Sequence, residues 1–148
     1  MNSRSWAELT TDELYSLLKL RTDVFYVEQS VDDSELDGRD REPTTRHYWI
    51  EDAAGAAAYL RVLVDPAPEY KDADHVVGRV VVRSDRRGEG LAQALFARVF
   101  EEYPSCAFLL HAQEYIAPLY AKLGFAAFGE GYMEAGIPHM SMYRRAPK

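Results

Sequence analysis

A single cysteine, Cys106, stands among 148 residues. It cannot form an internal disulfide, so a reducing, cytoplasmic compartment is expected, and its place in an apolar run predicts a buried, inert thiol. No apolar run approaches the roughly 20 residues of a membrane span, and Met1-Asn2-Ser3-Arg4-Ser5-Trp6 lacks the apolar centre of a signal peptide. No membrane partner is expected. Positive charge is short: 17 Lys and Arg stand against 24 Asp and Glu, a net charge of −7. That argues against nucleic acid as the main partner and suits a cationic one such as an amine. The four histidines, His47, His75, His111 and His139, are far apart and lack cysteines at ligand spacing, so no metal site is expected. Repeats, low-complexity segments and linkers are also missing, which leaves one domain over residues 1–148. The remaining composition, 47% apolar and 28% charged, is that of a globular chain.

The stretch from Gly78 to Phe100 organises the rest. Val80, Val81 and Val82 form a β-branched run, Ser84 to Gly90 a charged glycine turn, and Leu91, Ala92, Leu95, Phe96 and Val99 recur at helical spacing. A strand, a glycine turn and a helix in this order leave the first N–H groups of the helix free at the positive end of its dipole. Phosphate binds readily there, and glycines at 88 and 90 let a ligand approach the backbone. An ordinary strand-to-helix turn suits the same residues. A P-loop would need Lys-Ser or Lys-Thr after the last glycine, where Leu91-Ala92 stands. A dinucleotide fingerprint would need a small residue at Gln93 and an acid at the end of the next strand, which reads His111-Ala112-Gln113.

Along the chain, residues 4–9 read as a first strand. Thr10 and Glu13 match a capping box opening a helix that carries Leu14, Leu17, Leu18, Val24 and Phe25 and ends near Glu28-Gln29. The acidic run Asp32 to Asp40 suits a solvated loop or the wall of a pocket for a cation, and lacks EF-hand spacing. Thr45–Glu51 and Ala56–Val64 read as a hairpin, His75–Val82 and Ala107–Gln113 as further strands. Arg79 on its valine strand reads as one end of a sheet-face salt bridge, with a contact to a ligand as the alternative. His111 and Gln113 share one strand face, as core groups with partners or as a polar site wall. Pro118 fits only the first turn of a short helix, which Gly124 ends. A last strand is expected from His139. The order implies an α/β chain of the α+β type, with a mostly antiparallel sheet and one parallel crossover.

Three stretches resemble one family. Arg87-x-x-Gly90-x-Ala92 is similar to the Arg/Gln-x-x-Gly-x-Gly/Ala loop of the GNAT superfamily of acyl-CoA-dependent N-acyltransferases. Leu119-Tyr120-x-x-x-Gly124-Phe125 is similar to its second signature. Leu20-Arg21-x-x-Val24-Phe25 to Gln29, Glu35-x-Asp37-Gly38-x-Asp40 and Gly136-Ile137-Pro138-His139 resemble its ElaA-like group, where the first acid of the loop is an aspartate. The resemblance runs from Leu14 to Met142. It implies the GNAT fold, with a central splayed parallel strand pair, and an N-acetyltransferase using acetyl-CoA as co-substrate without a metal. The cofactor-binding residues it implies are Val80, Val81 and Val82 on the splayed strand and Arg87, Gly88, Glu89, Gly90, Leu91, Ala92 and Gln93 on the loop. Tyr120 is implied as general acid, packing being its other role. Glu28, His139 and Asp37 are candidate bases. Asp37, His111 and Gln113 are expected against an acceptor that is a small amine or a lysine side chain. A monomer or a homodimer is compatible. Two other readings stand beside this one: an acyl-homoserine-lactone synthase, and a non-catalytic acyl-CoA-binding regulator.

Overall fold

Valine-rich and alanine-rich runs bury both faces of the central strands of a seven-stranded sheet. The computed structural model describes residues 1–148. In chain order the elements are β1 (Asn2–Ser5), α1 (Thr11–Arg21), β2 (Arg46–Asp52), β3 (Gly55–Val64), β4 (His75–Val82), α2 (Leu91–Glu102), β5 (Phe108–Gln113), α3 (Ala117–Lys122), β6 (Ala126–Glu134) and β7 (Ile137–Arg144). The strand order is β1-β2-β3-β4-β5-β7-β6. Only β4 and β5 pair in parallel, joined by the α2 crossover; every other pair is antiparallel. No helix is long and apolar enough to cross a membrane.

Eight consecutive residues of β3 are buried, as a strand covered on both faces requires. Ala58, Leu60 and Val62 point into the larger core with Leu95, Phe96 and Val99 of α2 and Tyr120 of α3. Tyr59 points to the opposite face, with Leu17, Leu20 and Val24 of the first helix and Val81. Period two on the strand and period 3.6 on the helices therefore meet on each side.

Local signals set the boundaries. Thr10 Oγ1 accepts from Glu13 N and Glu13 Oε1 accepts from Thr10 N, which closes the expected capping box. Phe125 N–H donates to Tyr120 O and Gly124 N–H to Ala121 O, a Schellman ending with Gly124 in the left-handed region.

Two boundaries, the geometry of one helix and the burial of one residue differ from the sequence reading. The first strand ends at Ser5, and Trp6–Glu8 turns as a 3-10 segment, its entry fixed by a capping box between Ser5 and Glu8. The first helix reaches Glu28 but loosens to π geometry over Thr22–Glu28. β7 begins at Ile137, because Ala135 and Gly136 both take positive φ and close a tight hairpin with β6. Cys106 precedes β5 and is half-buried, with Sγ 4.0 Å from His75 Nε2; burial still pushes its thiol upward.

Candidate active site

The parallel pair sets the site. His75, Val76 and Val77 pair with Phe108, Leu109 and Leu110, and pairing then stops although both strands continue. One cause lies on β4. Tyr59 pairs with Val81 and Arg61 with Gly78, so Arg79 and Val80 together oppose Leu60: a bulge, with Arg79 at φ 53°. Arg83 N–H donates to Ala57 O on β3. By alternation the N–H of Val82 faces the other way, into the gap.

Two cavities meet in the gap. The loop-side cavity, about 420 Å³, has Val80, Val81, Val82, Arg86, Arg87, Gly88, Gly90, Leu91, Ala92 and Gln93 in its wall. The hairpin-side cavity, about 310 Å³, takes in Glu35, Arg79, His111, Gln113, Tyr120 and His139. Gln29, Val80, Tyr115 and Ile116 belong to both walls and form the neck between them. Gln113 Nε2 donates to Gln29 Oε1 at 3.0 Å across the gap.

The loop side is built from backbone. Gly90 caps α2 at φ 77° and Gly88 sits at φ 83°, conformations an L side chain resists. Open space surrounds both, so φ rather than crowding requires glycine there. The first α-helical bond runs from Ala94 N–H to Gly90 O. The N–H groups of Leu91, Ala92 and Gln93 are left free, with no acid in the first turn to take them. Arg87 Nε donates to Val82 O, and its terminal nitrogen pairs with Glu28 at 2.7 Å. Arg86 is taken up by Asp52 and Glu89, so Glu89 faces Arg86 and is not in the cavity wall. Val81 meets the cavity while its side chain fills the core under α1.

The hairpin side is built from side chains. Tyr120 is buried, with its ring 5.7 Å from Phe96; burial, helped by Tyr115, pushes its phenol well above the ordinary tyrosine value, so it keeps its proton. His139 is 7% exposed and stacks on Tyr132. Its Nδ1 lies 2.7 Å from Ile137 O. A carbonyl only accepts, so Nδ1 carries a proton, and Nε2 lies 3.5 Å from a carboxylate oxygen of Glu134 at the cavity wall. His111 is no core histidine: it is exposed, bonds Ser141 Oγ at 3.0 Å and lies 3.2 Å from Glu69, at the cavity wall. Two further residues stand away from their expected places. Glu28 belongs to the loop side, apart from Tyr120 and His139. Asp37 is turned inward, its carboxylate gripped by Arg61 at 2.5 Å and 3.6 Å from Arg79; burial works against ionisation there, but the Arg61 hydrogen bonds outweigh it and hold the carboxyl well below the usual range.

What the sequence reading missed is the frame beneath this wall. Arg21 and Arg61 are each 2% exposed and share Asp40 Oδ1 at 2.9 Å apiece. Burial pushes the Asp40 carboxyl up, and the two guanidinium groups more than reverse it. Glu35 Oε1 accepts from Arg21 Nε at 2.6 Å and Arg79 Nε at 3.1 Å. The salt bridge expected of Arg79 is thus present, and Arg79 also lines the cavity. A signal existed: Arg21 falls on the apolar stripe between Leu17 and Val24, and Arg61 interrupts the buried run of β3.

The splayed strand pair, the glycine loop on α2 and the two meeting cavities define an acyltransferase of the GNAT class. The sequence matches the GNAT acetyltransferase domain over residues 22–146, and the chain belongs to that family. It is 37% identical to Protein ElaA of Escherichia coli over 149 residues, covering 93% of this chain and 91% of that one. The crystal structure of E. coli ElaA superposes with a TM-score of 0.86 and 32% identity over 97% of both chains. An acyl-CoA N-acyltransferase from Pseudomonas aeruginosa does so with a TM-score of 0.86 and 38% identity, again over 97% of both. An aminoglycoside 6'-N-acetyltransferase complexed with coenzyme A shares the fold alone, at 15% identity and a TM-score of 0.69, over 97% of this chain and 96% of that one.

Proposed function

We propose that the protein is an N-acetyltransferase that moves an acetyl group from acetyl-CoA to a primary amine while both are held in the gap. One observation carries this reading: a free helix N-terminus and the unpaired edge of β4 open into one cavity, which joins at a neck a second cavity holding a phenol and an imidazole. The residues fit the donor. The N–H groups of Leu91, Ala92 and Gln93, with Arg87, suit a pyrophosphate. The N–H of Val82 and the unpaired edge of β4 around Val80 suit the amides of an extended chain laid along the strand. Acetyl-CoA supplies an activated acyl carbon with a thiolate as leaving group.

The chain's own groups then have simple tasks. The neck brings amine and acyl carbon together, which removes most of the entropy cost of their encounter. A backbone N–H of the β4 edge donates to the acyl oxygen as charge gathers there. His139 Nε2 takes the proton that the amine must lose, and the Tyr120 hydroxyl donates to the departing sulfur. The C–N bond forms as the C–S bond breaks, and no oxidant or metal is needed. Glu28, ion-paired at the loop, is not assigned the base.

Steady-state kinetics with acetyl-CoA and a panel of primary amines, with products weighed by mass spectrometry, tests this. Tyr120→Phe is expected to lower kcat by about 100-fold or more and leave CoA affinity unchanged. An unchanged kcat removes Tyr120 from the reaction. Tight CoA binding without turnover of any amine points to a regulator, and transfer only from acyl-carrier protein to a lactone-synthase activity.

A further inference from the structure

The acidic loop meets the hairpin-side cavity through Asp33, Ser34 and Glu35. Glu35 has an unusual setting. Both of its side-chain hydrogen bonds, from Arg21 and Arg79, fall on Oε1, and none falls on Oε2. Its backbone oxygen also accepts, from Arg21 at 3.3 Å and Arg79 at 3.0 Å. Two guanidinium groups therefore clamp the residue by its main chain and one carboxylate oxygen, leaving the other oxygen for a ligand on the cavity wall. Arg21 cannot swing away, because it is 2% exposed and tied to Asp40.

The charges around it decide what that ligand is. Arg21, Arg61 and Arg79 are matched by Glu35, Asp37 and Asp40 within one ion-pair network. No arginine is left over in the cavity wall to attract an anion. Asp33 lines the same cavity with no cation bonded to it, and Glu134 has only His139 beside it at 3.5 Å, so the wall carries more acid than fixed cation. Glu35 Oε1 is the shared counter-charge of Arg21 and Arg79, a holding role distinct from that of the base. A carboxylate fixed in place by two guanidinium groups suits an acceptor group that stays charged through the reaction. The reacting nitrogen must instead give up its proton.

We infer that Glu35 Oε2 binds a second cationic group of the acceptor, so that the preferred substrates are diamines and related amines carrying a positive charge besides the reacting nitrogen. This rests on the acetyltransferase reading for which nitrogen reacts, but binding of the second charge does not.

The test is calorimetric titration of diaminobutane and of butylamine into the CoA-saturated protein and into the CoA-free protein. The wild type is expected to bind the diamine at least about tenfold more tightly than the monoamine, the range of one charge-assisted hydrogen bond. Glu35→Gln is expected to bring the two ligands level while CoA affinity stays unchanged, which also reports an intact fold. Glu35→Asp, which keeps the charge, is expected to keep the preference. Equal binding of both amines by the wild type, a preference surviving in Glu35→Gln, or its loss in Glu35→Asp overturns the inference. Failure of CoA to bind the wild type would instead count against the acetyltransferase reading, and the CoA-free titrations would still decide the role of Glu35.

Discussion

The two cavities of the gap are made of different materials. The loop side relies on backbone N–H groups, two glycines at positive φ and one arginine. The hairpin side relies on side chains held by a chain of ion pairs running from buried Arg21 through Asp40 and Arg61 to the partly exposed Asp37 and Arg79. A backbone site tolerates many sequences as long as φ and the helix start are kept. A side-chain site depends on each charge having its partner, because an unpaired buried charge is costly. The first is suited to a cosubstrate with a constant phosphate end, the second to tuning for one acceptor.

The largest difference should appear when the network loses its hub. Asp40→Asn leaves Arg21 and Arg61 buried without their shared carboxylate and is expected to cost about 3 kcal/mol, a fall in Tm on the order of 10 °C. Thermal unfolding with and without CoA measures it; a change of under about 1 kcal/mol would show that the network carries little of the fold. Acid should act through the same groups. The native carboxyls of Asp37 and Asp40 are held below their ordinary values, so the unfolded chain binds more protons in acid. Their stabilisation is complete above about pH 4 and is lost as pH falls toward the native values. Equilibrium unfolding against pH should show this loss in the wild type and less of it in Asp40→Asn.

On the loop side a single charge change should have a small effect of opposite sign. Glu28 occupies Arg87 at 2.7 Å, and Arg87 also lies on Val82 O, at the open edge of β4. Both partners are about two-fifths exposed, so the pair is weak. Glu28→Gln is expected to tighten CoA binding by about two- to fivefold at low salt and by less at high salt. Weaker binding would instead mean that Glu28 helps to hold the loop.

The same contrast explains what could be read in advance. The loop side lies within Val80 to Gln93, one continuous stretch, and φ at Gly88 and Gly90 and the free helix start follow from local rules. The Thr10 cap and the Gly124 ending were legible for the same reason. The hairpin side joins Arg21, Glu35, Asp37, Asp40, Arg61 and Arg79 from four separate parts of the chain, and no local pattern orders them. Asp37 therefore looked like an acceptor wall when it is a strut, and Glu35 went unassigned. His111 read as a core residue of an apolar strand or as a site wall, and the splay of β4 from β5 leaves it at the cavity wall, where it was expected against an acceptor. The bulge at Arg79 has no sequence signature either, since arginine rarely takes positive φ.

Calorimetric titration of CoA into the wild type, Arg87→Glu and Glu35→Gln tests the central claim most directly, that the loop side alone holds the donor. Micromolar binding to the wild type and Glu35→Gln is expected, weakened at least about tenfold in Arg87→Glu, where a carboxylate replaces the cation facing a phosphate. Equal binding by the wild type and Arg87→Glu, or an equal loss in Glu35→Gln, would contradict it.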